Sequence, residues 1–315
     1  MIQHSEIYAA KILLFGEYTV LLGSRALSIP FYRFSAKLAF PAHDEFNNRI
    51  RGSNLQLHRF AENLREKPDI FNDIIDIPSF IKDASSGLYL ESDIPVSYGL
   101  GSSGALCAAV YGRYNRSGKS RMVNDSNDLS ELRTVFSEME LFFHGKSSGF
   151  DPLVIYMNRP LCLNAEGLPV TAVFRKDNET EEGTLFLVDT GQTGKTASLV
   201  PGFLAQFAPD GKPTVEGKCL SDLTDRCIGG LLDGNSNEFR EAVCHLSALQ
   251  IEHFQPMIPA SMIVPWREGL KTGLFHLKLC GSGGGGYLLG LTKDIDETFR
   301  YFSSRKISIL SVSLP

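Results

Sequence analysis

The feature that most constrains the fold of this chain is a glycine-rich turn that runs into small and apolar residues. Gly99 and Gly101 precede two serines, Ser102 and Ser103. Glycine permits positive φ and lets a ligand approach the backbone closely. One of the two serines is expected to cap a helix over residues 104–111. Because the free N–H groups and the dipole of a helix start attract anions, the stretch is interpreted as a phosphate-binding loop.

Size and composition exclude several classes of protein. A length of 315 residues favours two domains of ordinary size. The net charge of -5 argues against nucleic acid as the main partner. No apolar run reaches the ~18 residues that a membrane span needs, and the N-terminus lacks the features of a signal peptide. Six scattered cysteines without a Cys-x-x-Cys pair favour free thiols and a cytoplasmic location.

Hydrophobic periodicity predicts a mixture of strands and helices along the whole chain. Strands are predicted at 11–15, 19–22, 26–40, 87–91, 153–164, 184–188, 275–279, 287–291 and 307–312. Helices are predicted at 55–64, 104–111, 128–144, 199–208, 222–233, 238–252 and 295–304. Asp128 is the expected N-cap of the third helix, residues 146–151 are expected to form a loop, and prolines 256, 259 and 265 are expected to mark breaks. A domain boundary is placed near residue 180, in the charged stretch 176–182.

Glycine motifs by themselves carry little information. Two stretches match Gly-x-Gly-x-x-Gly, one starting at Gly99 and one at Gly281. The second precedes a strand, so a tight hairpin is its simplest explanation. Pro95 and polar residues separate the first from its strand, which disfavours a dinucleotide-binding site. Residues 194–196 resemble the end of a Walker A loop, but Asp189 stands where that motif needs glycine.

Two carboxylates and a lysine are further candidate functional residues. Taken alone, each has an ordinary structural explanation: Asp151 as a turn cap, Glu140 as a solvated helix side chain and Lys11 as a strand-end lysine. Together with a phosphate-binding loop, they are the groups that metal-assisted phosphoryl transfer requires. The combination therefore favours a kinase over a protein that only binds a ligand.

Three stretches, in order, resemble the motifs of the GHMP kinase family: 11–23, 95–104 and 278–286. Within that family the chain is most similar to the mevalonate kinases, because 144–151 matches their His-Gly-x-x-Ser-Gly-hydrophobic-Asp segment and 189–196 loosely matches a substrate-side loop. The resemblance implies an α+β fold in two domains, with ATP bound in the cleft between them. Residues 1–180 would form a ribosomal protein S5 domain 2-like ATP-binding domain, and residues 181–315 a ferredoxin-like C-terminal domain.

The resemblance also implies a role for each matching residue. Asp151 matches the catalytic aspartate that accepts the proton of the attacking hydroxyl. Lys11 matches the lysine that favours the ionised aspartate and stabilises the developing charge. Ser103 and Glu140 match the Mg²⁺ ligands. The positions that would surround the ATP phosphates are Pro95, Gly99, Leu100, Gly101, Ser102, Ser103 and Gly104, and those on the substrate side are Glu17, Tyr18, Thr196, Gly281, Ser282 and Gly283.

Departures from the family pattern leave the phosphate acceptor open. Tyr18 stands where mevalonate kinases usually have His and Gly104 where Ala is usual, and both features occur in phosphomevalonate kinases. Gly194 stands where Arg often binds the substrate carboxylate, so Lys195 or Lys146 would have to replace it. The alternatives are mevalonate, phosphomevalonate or a sugar as acceptor, or a non-catalytic sensor. The expected partner is a small-molecule alcohol, not nucleic acid or a membrane, with a homodimer left open.

Overall fold

The chain divides into two compact units that are each discontinuous in sequence. The computed structural model describes residues 6–42, 47–116, 123, 125–175, 183–194 and 199–315. Unit 1 contains the residues up to Lys11 together with Pro30–Pro95 and Gly101–Arg159, and unit 2 contains Ile12–Ile29, Val96–Leu100 and the chain from Pro160 onward. The boundary placed near residue 180 lies outside the described residues, so the single division into 1–180 and 181–315 stays a prediction.

Unit 1 is mainly helical. The elements up to residue 159 are β1 (Tyr8–Phe15), β2 (Ala26–Ala39), α1 (Asn48–Arg65), α2 (Pro68–Phe71), α3 (Ile77–Ser85), β3 (Tyr89–Ser92), α4 (Ser102–Tyr114), α5 (Ser126–His144) and α6 (Phe150–Met157). The end of β2 pairs antiparallel with β3. Aromatic side chains join the helices, with Phe60 against Phe80 at 6.3 Å and Tyr111 against Phe136 at 5.1 Å between ring centroids. These contacts join α1 to α3 and the C-terminal part of α4 to α5.

Unit 2 is built on an antiparallel sheet. Its further elements are β4 (Leu161–Leu163), β5 (Pro169–Thr171), β6 (Thr184–Asp189), α7 (Leu199–Phe207), α8 (Val215–Asp233), α9 (Ser236–His253), α10 (Ala260–Thr272), β7 (Phe275–Leu279), β8 (Tyr287–Thr292), α11 (Ile295–Ser303) and β9 (Ile309–Val312). The sheet has the order β7-β8-β6-β9, and the start of β2 pairs with β4, which pairs with β5. The strands and helices predicted from residue 184 onward are therefore confirmed, apart from shifted ends.

Two strand predictions are wrong. Residues 19–22 form a short 3-10 helix, closed by Gly23 in the left-handed region. Residues 153–157 belong to α6, and only Leu161–Leu163 of the predicted strand is extended. The helix α6 is buried on nearly every side, so its apolar run has no period, and such a run cannot be told from a buried strand. The predicted loop 146–151 accordingly ends at Gly149, where α6 begins.

Helix boundaries show where local signals were misleading. The cap of α5 is Asp125, whose carboxylate accepts from the backbone N–H groups of Asn127 and Asp128, so Asp128 is not the cap. Pro265 lies inside α10 instead of breaking the chain, and its buried neighbour Trp266 helps to hold that helix. At Pro265, packing around the segment outweighed the local sequence preference, whereas at Asp125 the cap is another local signal three residues earlier.

Within the described part of the chain, no helix has the length and apolar character that crossing a bilayer would need. All six cysteines are free thiols, and four of them are buried: Cys107, Cys162, Cys227 and Cys280.

Candidate active site

The glycine-rich turn enters α4 through a left-handed backbone. Gly99 has φ 78° and Gly101 has φ 80°, a region that side chains strongly disfavour. Gly101 is itself the N-cap of α4, so the prediction that Ser102 or Ser103 caps the helix is wrong. No side chain of the described residues caps this helix start. Its first N–H groups therefore remain available to an anion, as the phosphate-binding interpretation requires.

Glycine at two positions also lets the start of α4 approach its neighbours. A Cβ at Gly101 would lie 2.8 Å from Ile155 Cδ1 and 3.1 Å from Lys11 Cγ. A Cβ at Gly104 would lie 3.0 Å from the backbone nitrogen of Pro152. Since contacts this short require a neighbour to shift, both glycines are needed to bring the α4 start against β1 and the first turn of α6.

Lys11 and Asp151 form an ion pair beside the start of α4. Lys11 Nζ lies 2.7 Å from Asp151 Oδ2. The lysine side chain is 3% exposed, whereas that of Asp151 is 37% exposed. Asp151 also lies in the first turn of α6, where the helix dipole favours a negative charge. The result is a carboxylate that a solute can reach, paired with a buried lysine.

Glu140 lies on α5 as a second, buried carboxylate. The hydroxyl of Ser103 donates to Glu140 Oε1 at 2.9 Å, and that of Ser147 donates to Oε2 at 2.5 Å. Burial, together with the nearby charge of Asp151, raises the pKa of Glu140 to about 7, although the two hydroxyls and Lys11 act in the opposite direction. Glu140 is therefore a carboxylate whose charge is only partly compensated by its surroundings.

Two neighbours of this carboxylate were not singled out from the sequence. One is Ser147; the other is His144, whose Nε2 lies 3.0 Å from Ser103 Oγ. The signal that could have indicated His144 is its spacing of four residues from Glu140, which puts both on one face of α5.

The residues present fit a magnesium ion that arrives with a nucleotide. A hydroxyl from Ser103 and a carboxylate from Glu140 are the hard oxygen ligands that Mg²⁺ prefers. A cation there would relieve the repulsion between Glu140 and Asp151. Over the described ranges, no group of three His, Cys, Asp or Glu side chains could hold a metal. Phosphate oxygens and water would have to complete the coordination, as is usual for Mg²⁺ in kinases.

In unit 2, the structure brings together the first and third family motifs. Tyr18 has φ 62°, and its hydroxyl donates to the carbonyl oxygen of Ser282. Glu17, the preceding residue, is paired with Lys278 at 2.7 Å. The strands β7 and β8 form the predicted antiparallel hairpin, but residues 280–286 make its loop too long for a tight turn.

The predicted site residues thus fall into two groups. Unit 1 holds Lys11, Pro95, Gly101, Ser102, Ser103, Gly104, Glu140 and Asp151, and unit 2 holds Glu17, Tyr18, Gly99, Leu100, Gly281, Ser282 and Gly283. Thr196 and Lys195 lie outside the described residues, and Lys146 is exposed. The roles of all these residues stay predictions.

Residues 59–159 match the family described as GHMP kinases N terminal domain. This part of the chain is therefore similar to the N-terminal domain of the GHMP kinases. The matched stretch contains the glycine-rich turn, Ser103, Glu140 and Asp151, and so includes most of the candidate site residues in unit 1.

Several known proteins are similar to this chain over nearly its whole length. Mevalonate kinase of Archaeoglobus fulgidus is 23% identical over 289 residues, which are 90% of each chain. The structure of L. major mevalonate kinase in complex with R-mevalonate has a TM-score of 0.64, 17% identity, and coverage of 99% of this chain and 96% of the other. Streptococcus pneumoniae phosphomevalonate kinase in complex with phosphomevalonate and AMPPNP has a TM-score of 0.64, 16% identity, and coverage of 98% and 100%. The structural likenesses show that the whole chain has the two-domain α+β fold of the GHMP kinases.

Proposed function

We propose that this chain is an ATP- and Mg²⁺-dependent kinase that phosphorylates the primary hydroxyl of mevalonate, a step of isoprenoid biosynthesis. The observation that carries the proposal is the half-exposed Asp151 carboxylate, held by Lys11 near the Ser103–Glu140 pair. Support for the acceptor comes from relatives named mevalonate kinase, at low identity. A cytoplasmic location and a homodimer accompany this proposal as predictions.

Each residue of the site in unit 1 has a chemical task in such a reaction. Asp151 accepts the proton of the attacking hydroxyl. The oxygen of that hydroxyl forms a bond to the γ-phosphorus of ATP, and the bond between the γ-phosphorus and the bridging β-phosphate oxygen breaks, which releases ADP. Lys11 holds the Asp151 carboxylate in place and stabilises charge on the transferred group. The N–H groups at the start of α4 bind phosphate oxygens.

Ser103 and Glu140 would hold the magnesium ion. When bound, the ion neutralises charge on the phosphates. Ser147 holds the second oxygen of Glu140 and so orients its carboxylate.

Phosphomevalonate is the second candidate acceptor. Two observations favour it: Tyr18 replaces the usual His, and Gly104 replaces the usual Ala at a position where a Cβ would press on Pro152. A phosphorylated acceptor would need further cations on the substrate side, and Lys146 is an exposed candidate. The second candidate thus differs from the first in its acceptor, not in its catalytic residues.

An ADP-release assay with ATP and Mg²⁺ separates these possibilities. The acceptors to compare are mevalonate, phosphomevalonate, galactose and homoserine, with Asp151→Asn as the inactive control. We expect the highest kcat/KM with mevalonate. Preference for another acceptor would contradict the mevalonate assignment, and ATP turnover that needs none of the four would favour a sensor of another small molecule.

A further inference from the structure

A buried polar network in unit 2 connects Glu17 with the strand that leads into the third glycine-rich segment. Glu17 and Lys278 form an ion pair at 2.7 Å, with side chains 3% and 1% exposed. Gln250 donates to Glu17 Oε1 at 3.1 Å and accepts from the backbone N–H of Leu279 at 2.8 Å. Lys278 Nζ also donates to the carbonyl oxygen of Leu279 at 2.5 Å. The side chains of Glu17, Lys278 and Gln250 and the Leu279 backbone are thus joined in one network away from water.

This arrangement closes the Glu17 carboxylate to a dissolved substrate. Its second oxygen, Oε2, is buried without a hydrogen-bond partner in the part of the chain that the structure describes. Burial raises the pKa of Glu17, and the charge of Lys278 opposes that effect. The Phe15 ring, 5.0 Å from Lys278 Nζ, covers the pair on another side. A substrate could contact this carboxylate only if the network opened.

The network is attached to a strained turn. Gly16 has φ 103°, and a Cβ there would lie 2.4 Å from Ala26 Cβ. Tyr18 has φ 62°, which is unfavourable for a residue other than glycine and persists only where its surroundings enforce it. Its ring packs on Phe203 with 5.1 Å between ring centroids, and its hydroxyl donates a hydrogen bond to the Ser282 carbonyl. Glu17 thus lies between a glycine that is closely packed against Ala26 and a tyrosine with a strained backbone.

The loop of residues 280–286 is held at both ends, by the polar network before its start and by backbone contacts at its end. Lys278 and Leu279 end β7 immediately before it, and both belong to the network. At its far end, a Cβ on Gly286 would lie 2.8 Å from the Tyr98 backbone, and the Gly286 N–H donates to Gln192 at 2.7 Å. The glycine at the end of this loop therefore allows the backbone to pack closely against Tyr98, and the ion pair positions the end of β7, where the loop begins.

We propose that the Glu17–Lys278 pair, with Gln250, is a positioning device that holds the 280–286 loop, through the buried Tyr18 and through Leu279, in the arrangement that binds the acceptor. Glu17 is then a positioning residue and not a contact of the acceptor. The proposal rests on the proposed kinase function.

A double-mutant cycle tests the proposal. Glu17→Gln and Lys278→Met each leave one buried group unpaired, so each should raise the KM for the acceptor at least about tenfold while kcat changes less than about threefold. The double variant buries no unpaired charge and should return the KM to within about threefold of the wild-type value. If Glu17 instead touches the acceptor, the loss caused by Glu17→Gln persists in the double variant, which would overturn the proposal.

A matched control separates positioning from loss of stability. Thr298→Val removes a buried hydrogen bond to Thr292 in the same unit, at the end of β8 that is remote from the loop. It should lower the melting temperature and leave the acceptor KM unchanged. An acceptor KM that rises in this variant as it does in Glu17→Gln and Lys278→Met would contradict a positioning role.

If one of those two single variants does not fold, Gln250→Met provides a milder change, because it keeps the ion pair. It is expected to raise the acceptor KM about threefold, and an unchanged KM would also contradict the proposal.

Amide hydrogen exchange without substrate gives a readout that does not depend on activity. The single variants should speed exchange at Leu279 and Gly286 about tenfold or more, and the double variant should restore slow exchange. Unchanged exchange in the single variants would overturn the proposal. A wild-type protein that phosphorylates no acceptor would overturn the proposed function alone, because the exchange result would stand.

Discussion

Two lysine–carboxylate pairs of equal length differ in what they can do. Lys11–Asp151 in unit 1 and Lys278–Glu17 in unit 2 both have 2.7 Å between nitrogen and oxygen. In the first pair more than a third of the aspartate side chain is exposed, whereas in the second both side chains are buried. An open carboxylate can exchange a proton with a substrate, and a closed one can only hold its neighbours. Exposure, not distance, therefore separates a candidate catalytic pair from a positioning pair.

The charge balance around the two pairs differs as well. Lys11 faces two carboxylates, Asp151 and the buried Glu140, so this cluster lacks positive charge. Lys278 faces the carboxylate of Glu17, whose other neighbour is the neutral amide of Gln250. The first cluster would gain from a cation that comes with a ligand, whereas in the second the charge of the carboxylate is balanced by Lys278. The following predictions test this contrast.

The largest difference is expected in turnover. Asp151→Asn should lower kcat about 10³-fold, because it removes the proton acceptor, while the Kd for ATP changes less than about threefold. Glu17→Gln, the matched change in the closed pair, should leave kcat nearly unchanged. Steady-state kinetics and calorimetric ATP binding measure both quantities. Wild-type turnover by Asp151→Asn would refute its assignment as the catalytic base.

Stability should respond in the opposite order to turnover: replacing the lysine of the buried pair should cost more than replacing the lysine of the exposed pair. Lys278→Met leaves Glu17 buried without its counter-charge and should lower the free energy of unfolding by about 3–5 kcal/mol. Lys11→Met leaves Asp151 in contact with water and should cost about 1 kcal/mol or less. Urea unfolding at neutral pH provides the comparison. Equal losses in the two variants would mean that the pairs are not open and closed as described.

Glu140 predicts a pH-dependent stability in metal-free buffer. Its pKa rises from 4.5 in the unfolded chain to about 7 in the fold, so its stabilising contribution is present below pH 4.5 and is lost as the pH rises through about 7. The free energy of unfolding of Glu140→Gln relative to wild type should therefore increase by roughly 2–3 kcal/mol between pH 4.5 and pH 8. Mg²⁺ with nucleotide should reduce this difference. A pH-independent difference would show that Glu140 is not held in an uncompensated site.

The smallest expected difference is in the stability cost of replacing two glycines that both have a left-handed backbone conformation. Gly145→Ala, at the end of α5, adds a Cβ in open space at φ 67° and should cost about 1 kcal/mol. Gly286 has a similar φ of 71°, but a Cβ there would also press against the Tyr98 backbone. Gly286→Ala should therefore lower the free energy of unfolding by about 2 kcal/mol. Thermal and urea unfolding of both variants measure the extra cost of close packing. Equal costs would argue that the 280–286 loop is not packed as tightly as its glycines indicate.

Much of the site could be predicted because its signals are local. The glycine turn before a helix, the spacing of Glu140 and Asp151, and the strand carrying Lys11 are short patterns, and the family resemblance combined them. The structure then places Ser103, Glu140, Lys11 and Asp151 in one unit. Periodic segments such as β6, α9 and α11 were predicted almost to their ends, because amphipathic spacing follows directly from which face is buried.

The remaining features depend on contacts between residues distant in sequence. Nothing near Glu17 indicates that Lys278 neutralises it, and nothing near Gly101 shows that this glycine, and not a serine, is the N-cap of α4. Pro265 within α10 and the buried helix α6 were missed for the same reason.

The sequence by itself determined the types of chemical group and their order along the chain: a lysine, a glycine-rich turn, and two carboxylates eleven positions apart. The tertiary structure decided which carboxylate meets solvent and which is enclosed. The physical reason is that ionisation and reactivity depend on solvation and on the nearest charges, and both are set by how distant segments pack.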